Sequence, residues 1–373
     1  MNSATRSVLF IVPGKITRLT GGSLYDKNLA DSLIEHGFRL EIASIPDLPY
    51  FAGLISGCLV APILLLRLIW GRHDIVIEDG WVQPAALLFN IACRLSRRAQ
   101  LVIIVHQVRW QRSSITLRFI ARKVERASLR SADLIVTVSS FINRGVKQLI
   151  GGKAYTIIAP PGSDAAPSIC PDYPKAAREN IETDATPLRL LFVGNCTRVK
   201  GLDYLIGALA MLDDLCFELD IVGDVTFAPR YYNQVKQLAK RLNVEDRVKF
   251  HGTIPQERLA LFYSEADIFT FPSLYEGFGI VLVEAMRAGL PIVTTRVGAV
   301  DEIVREGENA LVVPSGDSKA LARAIRMLST DPTMRKRYGQ CSHKLAQMLP
   351  TWKQTCEEIS YALEHYGGRT KNL

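Results

Sequence analysis

Short apolar runs alternate with helical patterns along almost the whole chain, and this alternation constrains the fold more than any other feature. Most runs carry few polar residues, so they predict strands that are buried on both faces. In the N-terminal half the runs are SVLFIV, RLEIAS, DIVIED, LVIIVH, DLIVTVS and AYTIIAPP. Strands of this kind separated by helices indicate a parallel sheet with helices on both sides.

The alternation is interrupted once and then resumes. Residues 162–187 are rich in Pro, Ala and Asp and show no periodicity. A second series of runs follows: LRLLFVG, FELDIVGD, RVKFHG, DIFTFPS, LPIVTT and ALVVP. We therefore predict two Rossmann-like, doubly wound α/β domains that face a central cleft, at residues 1–165 and 188–345. A linker at 166–187 joins them. A C-terminal helix is predicted at 346–373, and its packing back on the first domain is one of two alternatives.

The loop after DIFTFPS carries the clearest chemical signal. Glu276 and Glu284 stand eight positions apart, and Gly277 and Gly279 follow the first glutamate. Glycines let the backbone approach a ligand, and the unpaired N–H groups of the next helix favour an anion. A carboxylate beside an anion site suits a ligand with phosphate at one end and hydroxyls at the other, such as a nucleotide sugar. A plain turn with solvated glutamates is the alternative, but the apolar neighbours of Glu284 count against it.

The stretch PSLYEGFGIVLVEAMRAGLPIVTT resembles the E-x7-E motif of glycosyltransferase family 4, a family of retaining enzymes with the GT-B fold. GAVDEIVREGENALVVPSGDSKALARAI is similar to the same family, and the resemblance covers essentially the whole chain. It implies that Glu276 holds the hydroxyls of the transferred sugar and that Glu284 holds those of the ribose. The backbone along the sugar and phosphates would be that of Gly277, Phe278, Gly279 and Ile280.

The loop FVGNCTRVKG is the second predicted donor site. The family has Lys-Gly here, which implies that Lys200 neutralises the leaving diphosphate; an exposed loop lysine is the alternative. Many members carry Arg directly after the glycine that corresponds to Gly194. This chain has Asn195 there, and Arg198 is the candidate replacement. The family often has glycine where this chain has Asp224.

The N-terminal half offers further candidates, each with a structural role as its alternative. The resemblance implies that the loop of Gly21 and Gly22 lies near the donor phosphate and the acceptor. It also implies that His106, after LVIIVH, faces the transferred sugar. Asp79 and Trp81, in EDGW, end a strand and are candidate acceptor contacts.

Positive charge is concentrated in one part of the chain. The formal net charge is +8, whereas residues 94–130 alone carry +9. A surplus of this kind points to a polyanionic partner, and an anionic membrane surface is the one we expect. Within this stretch ITLRFIARKVERASLR predicts a helix with a basic ridge at Arg118, Arg122, Arg126 and Arg130. Its predicted apolar stripe consists of Leu117, Ile120, Val124 and Ala127.

An uncharged segment precedes that stretch. Leu48 to Leu66 has 19 residues, long enough to cross a bilayer, but Gly53, Gly57 and Pro62 interrupt it, and it lies between two strands of one predicted sheet. A spanning helix would divide that sheet between the two sides of the membrane. A buried helix and a segment in the membrane interface are the remaining alternatives.

These features together predict a retaining glycosyltransferase that moves a sugar from a nucleotide diphosphate sugar to a membrane lipid or lipid-linked acceptor. A cytosolic enzyme acting on a soluble sugar or polysaccharide is the alternative. We expect no cofactor and no required metal, because Lys200 and helix dipoles can stabilise the leaving group. Seven cysteines without a CxxC pair favour a reducing compartment, and we expect a peripheral protein on the cytoplasmic face of the cell membrane. Nucleic acid is not expected, because it would leave E-x7-E unexplained, and the oligomeric state stays open.

Overall fold

The computed structural model describes residues 6–16, 20–112, 115–152, 154–164 and 187–366. The chain divides into two compact units. Unit 1 consists of Met1–Gly162 and Thr351–Leu373, and unit 2 of Ser163–Pro350. Apart from residue 187, the predicted linker lies outside the described residues.

Unit 1 contains one sheet of six parallel strands in the order β2-β1-β3-β4-β5-β6. The strands are β1 (Ser7–Pro13), β2 (Arg39–Ile45), β3 (Ile75–Asp79), β4 (Gln100–Val105), β5 (Leu134–Thr137) and β6 (Tyr155–Ile158). All residues of β3, β4 and β5 are buried, as the continuous apolar runs predict for central strands of a parallel sheet. The crossovers are α1 (Gly21–Glu35), α2 (Tyr50–Gly71), α3 (Gln83–Ser96), α4 (Arg109–Arg112), α5 (Ile115–Ser131) and α6 (Ser140–Ile150).

Unit 2 repeats this architecture with six parallel strands in the order β12-β11-β10-β7-β8-β9. The strands are β7 (Leu188–Val193), β8 (Phe217–Val222), β9 (Val248–Gly252), β10 (Ile268–Phe271), β11 (Ile292–Thr295) and β12 (Ala310–Val313). The α-helices are α7 (Leu202–Leu209), α8 (Pro229–Arg241), α9 (Gln256–Glu265), α10 (Ile280–Arg287), α11 (Val300–Ile303), α12 (Ser318–Thr330) and α13 (Pro332–Ala346). Both units are therefore doubly wound α/β domains, and the predicted fold class is confirmed.

The last helix, α14 (Trp352–His365), is part of unit 1. Thr351 begins it with a capping box, and the Thr355 hydroxyl donates to the carbonyl of Pro160 at 2.7 Å. The Trp352 ring meets Tyr25 of α1 edge to face, with ring centroids 5.4 Å apart. Unit 2 ends at Pro350, so the predicted boundary after residue 345 is too early and would separate Ala346 from the rest of α13.

Helix α2 tests the buried-helix alternative for the uncharged segment. It is long and apolar enough to cross a membrane by length and composition alone, and only 28% of its most apolar window is buried. Its buried side faces α3 and consists of Gly53, Gly57, Ala61, Leu64 and Leu68. The glycines let the two helices approach closely, since a Cβ on Gly57 would lie 3.1 Å from the Ala85 carbonyl oxygen. A buried helix is therefore the wrong prediction for most of α2.

Helix α5 forms where its sequence predicts, but its buried face is different from the predicted stripe. Ile120 and Ala127 are exposed, and Leu117 is half-buried. The face in contact with the unit is formed by Ala121, Val124, Glu125, Ser128 and Leu129. Glu125 can occupy that face because its carboxylate accepts the backbone N–H groups of Arg109 and Trp110 at 3.1 and 3.0 Å. The ridge is exposed at Arg118, Arg122 and Arg126, whereas Arg130 is half-buried.

Candidate active site

Two clusters of polar side chains lie at the carboxyl ends of the strands, one in each unit. In unit 2, the Lys200 ammonium donates to the Glu276 carboxylate at 2.5 Å, and the Ser273 hydroxyl donates to the same oxygen at 2.8 Å. Glu276 is only 7% exposed, so these two donors take the place of water at its carboxylate. The structure thus brings together Glu276 and Lys200, which stand 76 positions apart in the chain and were predicted at opposite ends of one donor.

Lys200 is positioned by the loop after β7. It ends a short 3-10 turn, Arg198–Lys200, and Gly201 follows in the left-handed conformation with φ 67°. A Cβ on Gly201 would lie 2.1 Å from the carbonyl oxygen of Pro272, which is closer than any side chain tolerates. Glycine is therefore required here, and the close approach places the lysine loop against the loop that follows β10.

Glu276 is positioned by a turn that runs into α10. Its carbonyl accepts the N–H of Ala299 at 3.2 Å, and the turn ends at Gly279, whose φ of 106° favours glycine. Helix α10 begins directly afterwards at Ile280, so its unpaired N–H groups lie next to this turn. Phe278 is buried between the two glycines Gly277 and Gly279. The turn has the predicted form: a carboxylate beside a helix N-terminus that favours anions.

Glu284 lies in the second turn of α10 and contacts a residue that the sequence did not suggest. The Tyr263 hydroxyl, from α9, donates to its carboxylate at 2.7 Å. Burial raises the pKa of Glu284, and the Tyr263 hydrogen bond partly opposes that rise. The hydroxyl therefore holds the carboxylate in one orientation and favours its charged form.

The loop residues before Lys200 have separate surroundings. Asn195 accepts the N–H of Asp224 through its side-chain oxygen at 3.3 Å, so these two departures from the family pattern contact each other. Gly194 has its backbone N–H bonded to the Val222 carbonyl at 2.8 Å. Arg198 is exposed and lines an open hollow with Arg230 and Tyr231 at the start of α8. The structure shows no contact of Arg198 with the Lys200–Glu276 pair among the described residues.

In unit 1 the polar cluster is built around His106, which follows β4. Its Nε2 lies 3.4 Å from Oδ1 of Asp26, in α1, and 3.8 Å from Oδ2 of Asp79, at the end of β3. Gly22 lies against the imidazole, since a Cβ there would be 3.4 Å from its Cδ2 atom. Gly21 is the first residue of the same helix. The structure therefore joins His106, Asp79 and Gly22 and adds Asp26.

Burial and mutual charge shift the protonation of this cluster. Burial, and then the neighbouring Asp26, raise the pKa of Asp79 to about 8, although His106 opposes the rise. Burial lowers the pKa of His106, but Asp79 and Asp26 outweigh that effect and raise it overall. The cluster can thus hold a proton at neutral pH. Its three ligand atoms lie within 4.8 Å of one another, so the same set could also bind a cation.

Trp81 is held on three sides next to this cluster. Its backbone N–H donates to Asp79 at 2.6 Å, and its indole N–H donates to Asp47 at 2.9 Å. The Arg109 guanidinium lies 4.2 Å above its ring and donates to its carbonyl at 2.6 Å. Arg109 itself stays charged although burial lowers its pKa. A small hollow at this point is lined by Pro46, Asp47, Trp81 and Arg109.

Sequence reasoning missed Asp26, Ser273, Tyr263 and Arg109. Asp26 lies on the second turn of α1, a helix that also carries other charged residues, so nothing in the sequence marks this aspartate as part of a site. Ser273 and Tyr263 are ordinary polar residues until the fold places them against the two glutamates. Arg109 was counted only as part of the basic stretch.

Comparison with known proteins relates this geometry to a family. The model of the family "Glycosyl transferases group 1" matches residues 175–344. The GDP-mannose-dependent alpha-(1-6)-phosphatidylinositol monomannoside mannosyltransferase of Mycolicibacterium smegmatis is 31% identical over 297 residues, which cover 76% of this chain and 74% of that protein. The D-inositol 3-phosphate glycosyltransferase of Arthrobacter sp. is 30% identical over 213 residues, 56% of this chain and 49% of that protein. The chain thus spans about half the length of the latter relative.

Solved structures show the same fold. Sucrose-phosphate synthase from Thermosynechococcus elongatus superposes with a TM-score of 0.83 at 22% identity, over 96% of this chain and 98% of that one. Anabaena HepE, solved with UDP and glucose, superposes with a TM-score of 0.76 at 22% identity, over 96% of this chain and 99% of that one. Likeness at this identity concerns the fold alone. The M. smegmatis match, at 31% identity over most of both chains, shows that the chain belongs to the group 1 glycosyl transferases, which are GT-B enzymes of the family 4 type.

Proposed function

We propose that the chain is a retaining glycosyltransferase that transfers a sugar from a nucleotide diphosphate sugar to a membrane lipid or lipid-linked acceptor. The observation that carries the proposal is the contact of Lys200 and Ser273 with the buried Glu276, beside the N-terminus of α10. This arrangement offers a cation and a helix dipole to a diphosphate and a carboxylate to sugar hydroxyls.

The donor would be bound by an exchange of partners. Its diphosphate takes the Lys200 ammonium, and its sugar hydroxyls donate to the Glu276 carboxylate that Lys200 releases. The backbone from Gly277 to Ile280 borders the phosphates, and Glu284, oriented by Tyr263, accepts the ribose hydroxyls. Lys200 and the α10 dipole stabilise charge on the leaving diphosphate, so no metal is required for that step.

His106 would face the transferred sugar, and Asp26 and Asp79 would set its protonation and orientation. Retention of configuration fits departure of the diphosphate and attack of the acceptor on the same face of the sugar. That route needs no covalent nucleophile, because the departing diphosphate oxygen lies on the same face and can take the proton that the acceptor hydroxyl releases. Gly21, Asp79 and Trp81 are the proposed acceptor contacts.

A lipid acceptor is favoured by two observations. The M. smegmatis relative, which aligns over most of both chains, is named for a phosphatidylinositol monomannoside. The exposed Arg118, Arg122 and Arg126 on α5 also suit an anionic membrane surface. Each basic residue near such a surface contributes about 1 kcal/mol to the free energy of membrane binding. We propose a peripheral protein on the cytoplasmic leaflet. A soluble acceptor is the second candidate, because several relatives are named D-inositol 3-phosphate glycosyltransferase.

A donor and acceptor screen tests the proposal. Purified protein is incubated with UDP-, GDP- and ADP-sugars, and free nucleotide is measured without acceptor, with phosphatidylinositol vesicles and with inositol phosphate. Product NMR then gives the anomeric configuration. We expect nucleotide release with one donor, an increase with vesicles, and a retained configuration. Release that only the soluble acceptor increases would support the second candidate. Equal release by wild type and Glu276→Gln would refute the assignment of the site.

A further inference from the structure

The outward side of α2 is apolar along almost its whole length. Ile55 and Leu59 are each 75% exposed and Trp70 is 79% exposed, while Ile63, Leu66 and Ile69 are about half exposed. Arg67 is the one charged residue between Tyr50 and Gly71. A surface helix of a globular protein normally turns a polar side to water, so this exposed apolar surface indicates a partner.

Neighbouring helices continue this surface. Helix α3 packs along α2 and exposes Leu88, Ile91 and Leu95. We define the insertion face as the exposed apolar residues Ile55, Leu59, Ile63, Leu66, Trp70, Leu88, Ile91 and Leu95. At its border lie the exposed Arg72, Arg94, Arg97 and Arg98, and α5, which packs on α3, adds the basic ridge. Helices α2, α3 and α5 together contain a single acidic residue, Glu125, and it is 3% exposed.

We propose that the insertion face enters the hydrocarbon edge of a phospholipid bilayer, so that the protein is a monotopic membrane protein. The proposal rests on the proposed lipid-directed function and deepens it. The three helices expose no carboxylate of their own, and the partly exposed carboxylate of Glu41, from β2, is paired with Arg67. An apolar centre with a border of arginines is complementary to acyl chains surrounded by anionic headgroups. Trp70, near the end of α2, has the amphipathic ring that prefers the membrane–water interface.

The helix lies in the interface and does not cross the membrane. Its buried residues lie between Gly53 and Leu68, and the helix packs against α3, with Gly53 and Gly57 next to Pro84 and Ala85. It also connects β2 and β3, which belong to the same parallel sheet. Crossing would strip α2 from α3 and divide the sheet, whereas insertion by one side, to a depth of about 5–10 Å, leaves the fold intact.

Two parts of the surface then have different tasks. The insertion face supplies attachment that salt does not weaken, because burial of apolar side chains is not screened by ions. The basic ridge of α5 supplies the preference for anionic lipid, and salt weakens it because the Debye length falls from about 10 Å at 0.1 M to about 3 Å at 1 M. Attachment through the ridge alone would disappear at high salt.

Vesicle flotation separates the two contributions. Full-length protein is floated with vesicles of phosphatidylcholine alone or with added phosphatidylglycerol, at about 0.1 M and about 1 M salt. The test variant is Leu59→Gln with Ile63→Gln, and the matched control, in unit 2, is Leu261→Gln with Met327→Gln, since these residues are similarly exposed. We expect wild type and control to stay bound to anionic vesicles at high salt. At high salt the bound fraction of the test variant should be at least tenfold lower, because burial of each leucine or isoleucine side chain raises the membrane-binding constant by about tenfold or more.

Trp70 reports the depth. Its fluorescence should be quenched by lipids brominated in the acyl chain, and the quenching should disappear in Trp70→Phe. Equal high-salt binding by the test variant and wild type would overturn the proposal, as would absence of binding by wild type. A wild-type dimer that Leu59→Gln with Ile63→Gln dissociates would also overturn it, because a second copy would then cover the face.

Donor hydrolysis, measured on the same samples, separates this inference from the proposed function. Salt-resistant binding without glycosylation of any lipid supports insertion and refutes the lipid acceptor. Intact donor hydrolysis without vesicle binding refutes insertion and leaves glycosyl transfer standing.

Discussion

The contact between Lys200 and Glu276 gives the sharpest prediction, because each residue is assigned to a different end of one donor. We consider Lys200→Met, Glu276→Gln and the double variant. Lys200→Met should weaken binding of a free nucleoside diphosphate, which has phosphates but no transferred sugar. Glu276→Gln should not weaken that affinity and should raise it, because Lys200 no longer has to leave a buried carboxylate. The same variant should weaken binding and transfer of the intact nucleotide sugar.

The magnitude follows from the burial of the pair. The Lys200 side chain is 24% exposed and that of Glu276 is 8% exposed, so solvent screens the contact only in part. A hydrogen bond to a charged group contributes about 1.5–3 kcal/mol, so Lys200→Met should weaken nucleoside diphosphate binding by roughly 10- to 150-fold. Each single variant also leaves its partner without a counter-charge. The double variant should therefore be more stable than the sum of the single effects predicts, by about 1–3 kcal/mol.

Calorimetric titration of UDP, GDP and ADP, with urea unfolding of the four proteins, measures both effects. Lys249→Met is the matched control, because Lys249 pairs with Glu218 at 2.7 Å on the surface of the same unit. It should change nucleotide affinity little and stability by less than about 1 kcal/mol. If Lys200→Met binds nucleoside diphosphate as tightly as Lys249→Met does, Lys200 does not contact the phosphates. Strictly additive stabilities would show that the pair does not hold the site together.

Three further predictions concern the surroundings of the site. Tyr263→Phe removes the hydrogen bond that opposes the raised pKa of Glu284, so the pKa of Glu284 should rise further and more of the carboxylate should be protonated at low pH. The KM for donor should therefore rise more at about pH 5 than at about pH 8, and an equal rise at both pH values would contradict this. Because burial raises the pKa of Asp79 to about 8, the folded chain holds a proton that the unfolded chain releases. The contribution of Asp79 to stability is present below about pH 4 and is lost as pH rises through about 8, so Asp79→Asn should be increasingly stable relative to wild type over that range in urea unfolding. EDTA should leave the transfer rate unchanged, since the proposed mechanism assigns stabilisation of the leaving diphosphate to Lys200 and the α10 dipole. Loss of activity that Mg²⁺ restores would refute this.

The fold could be predicted from sequence because its signal is repeated. Continuous apolar strands and intervening helices occur twice, and each repetition supports the same parallel architecture. The loop at Glu276 could be predicted as well, because the glycines and the paired glutamates restrict the local backbone and its ligand together.

Neighbouring acids show where sequence reasoning fails. Glu78 and Asp79 are adjacent, but the alternation of a strand turns their side chains to opposite faces of the sheet. Asp79 meets His106, whereas Glu78 is fully buried on the side of α3, where burial raises its pKa to about 8. The partner of a residue, and hence its protonation, depends on which element covers it. Asp26 was missed for the same reason, because its role arises only from the contact of α1 with His106, which follows β4.

Helices α2 and α5 show a second limit of sequence-based prediction, which concerns the side of a helix that the rest of the protein covers. Periodicity indicates that one side of a helix differs from the other, but not which side meets the sheet. In α5 the carboxylate of Glu125 lies on the covered side because two backbone N–H groups satisfy it, and Ile120 is left exposed. In α2 both sides are apolar, so composition alone could not separate burial from exposure.

The pairing of Lys200 with Glu276 also has a consequence for the order of events at the site. A buried carboxylate without a partner is unfavourable, so Glu276 needs Lys200 while no donor is bound. The donor can replace this contact only if it supplies both a phosphate for the ammonium and hydroxyls for the carboxylate. A free phosphate compound would take Lys200 and leave Glu276 with Ser273 alone, and a free sugar would leave the ammonium in competition for the same oxygen. On the proposed function, the contact between Lys200 and Glu276 thus favours ligands that carry both groups at the right separation, as a nucleotide sugar does.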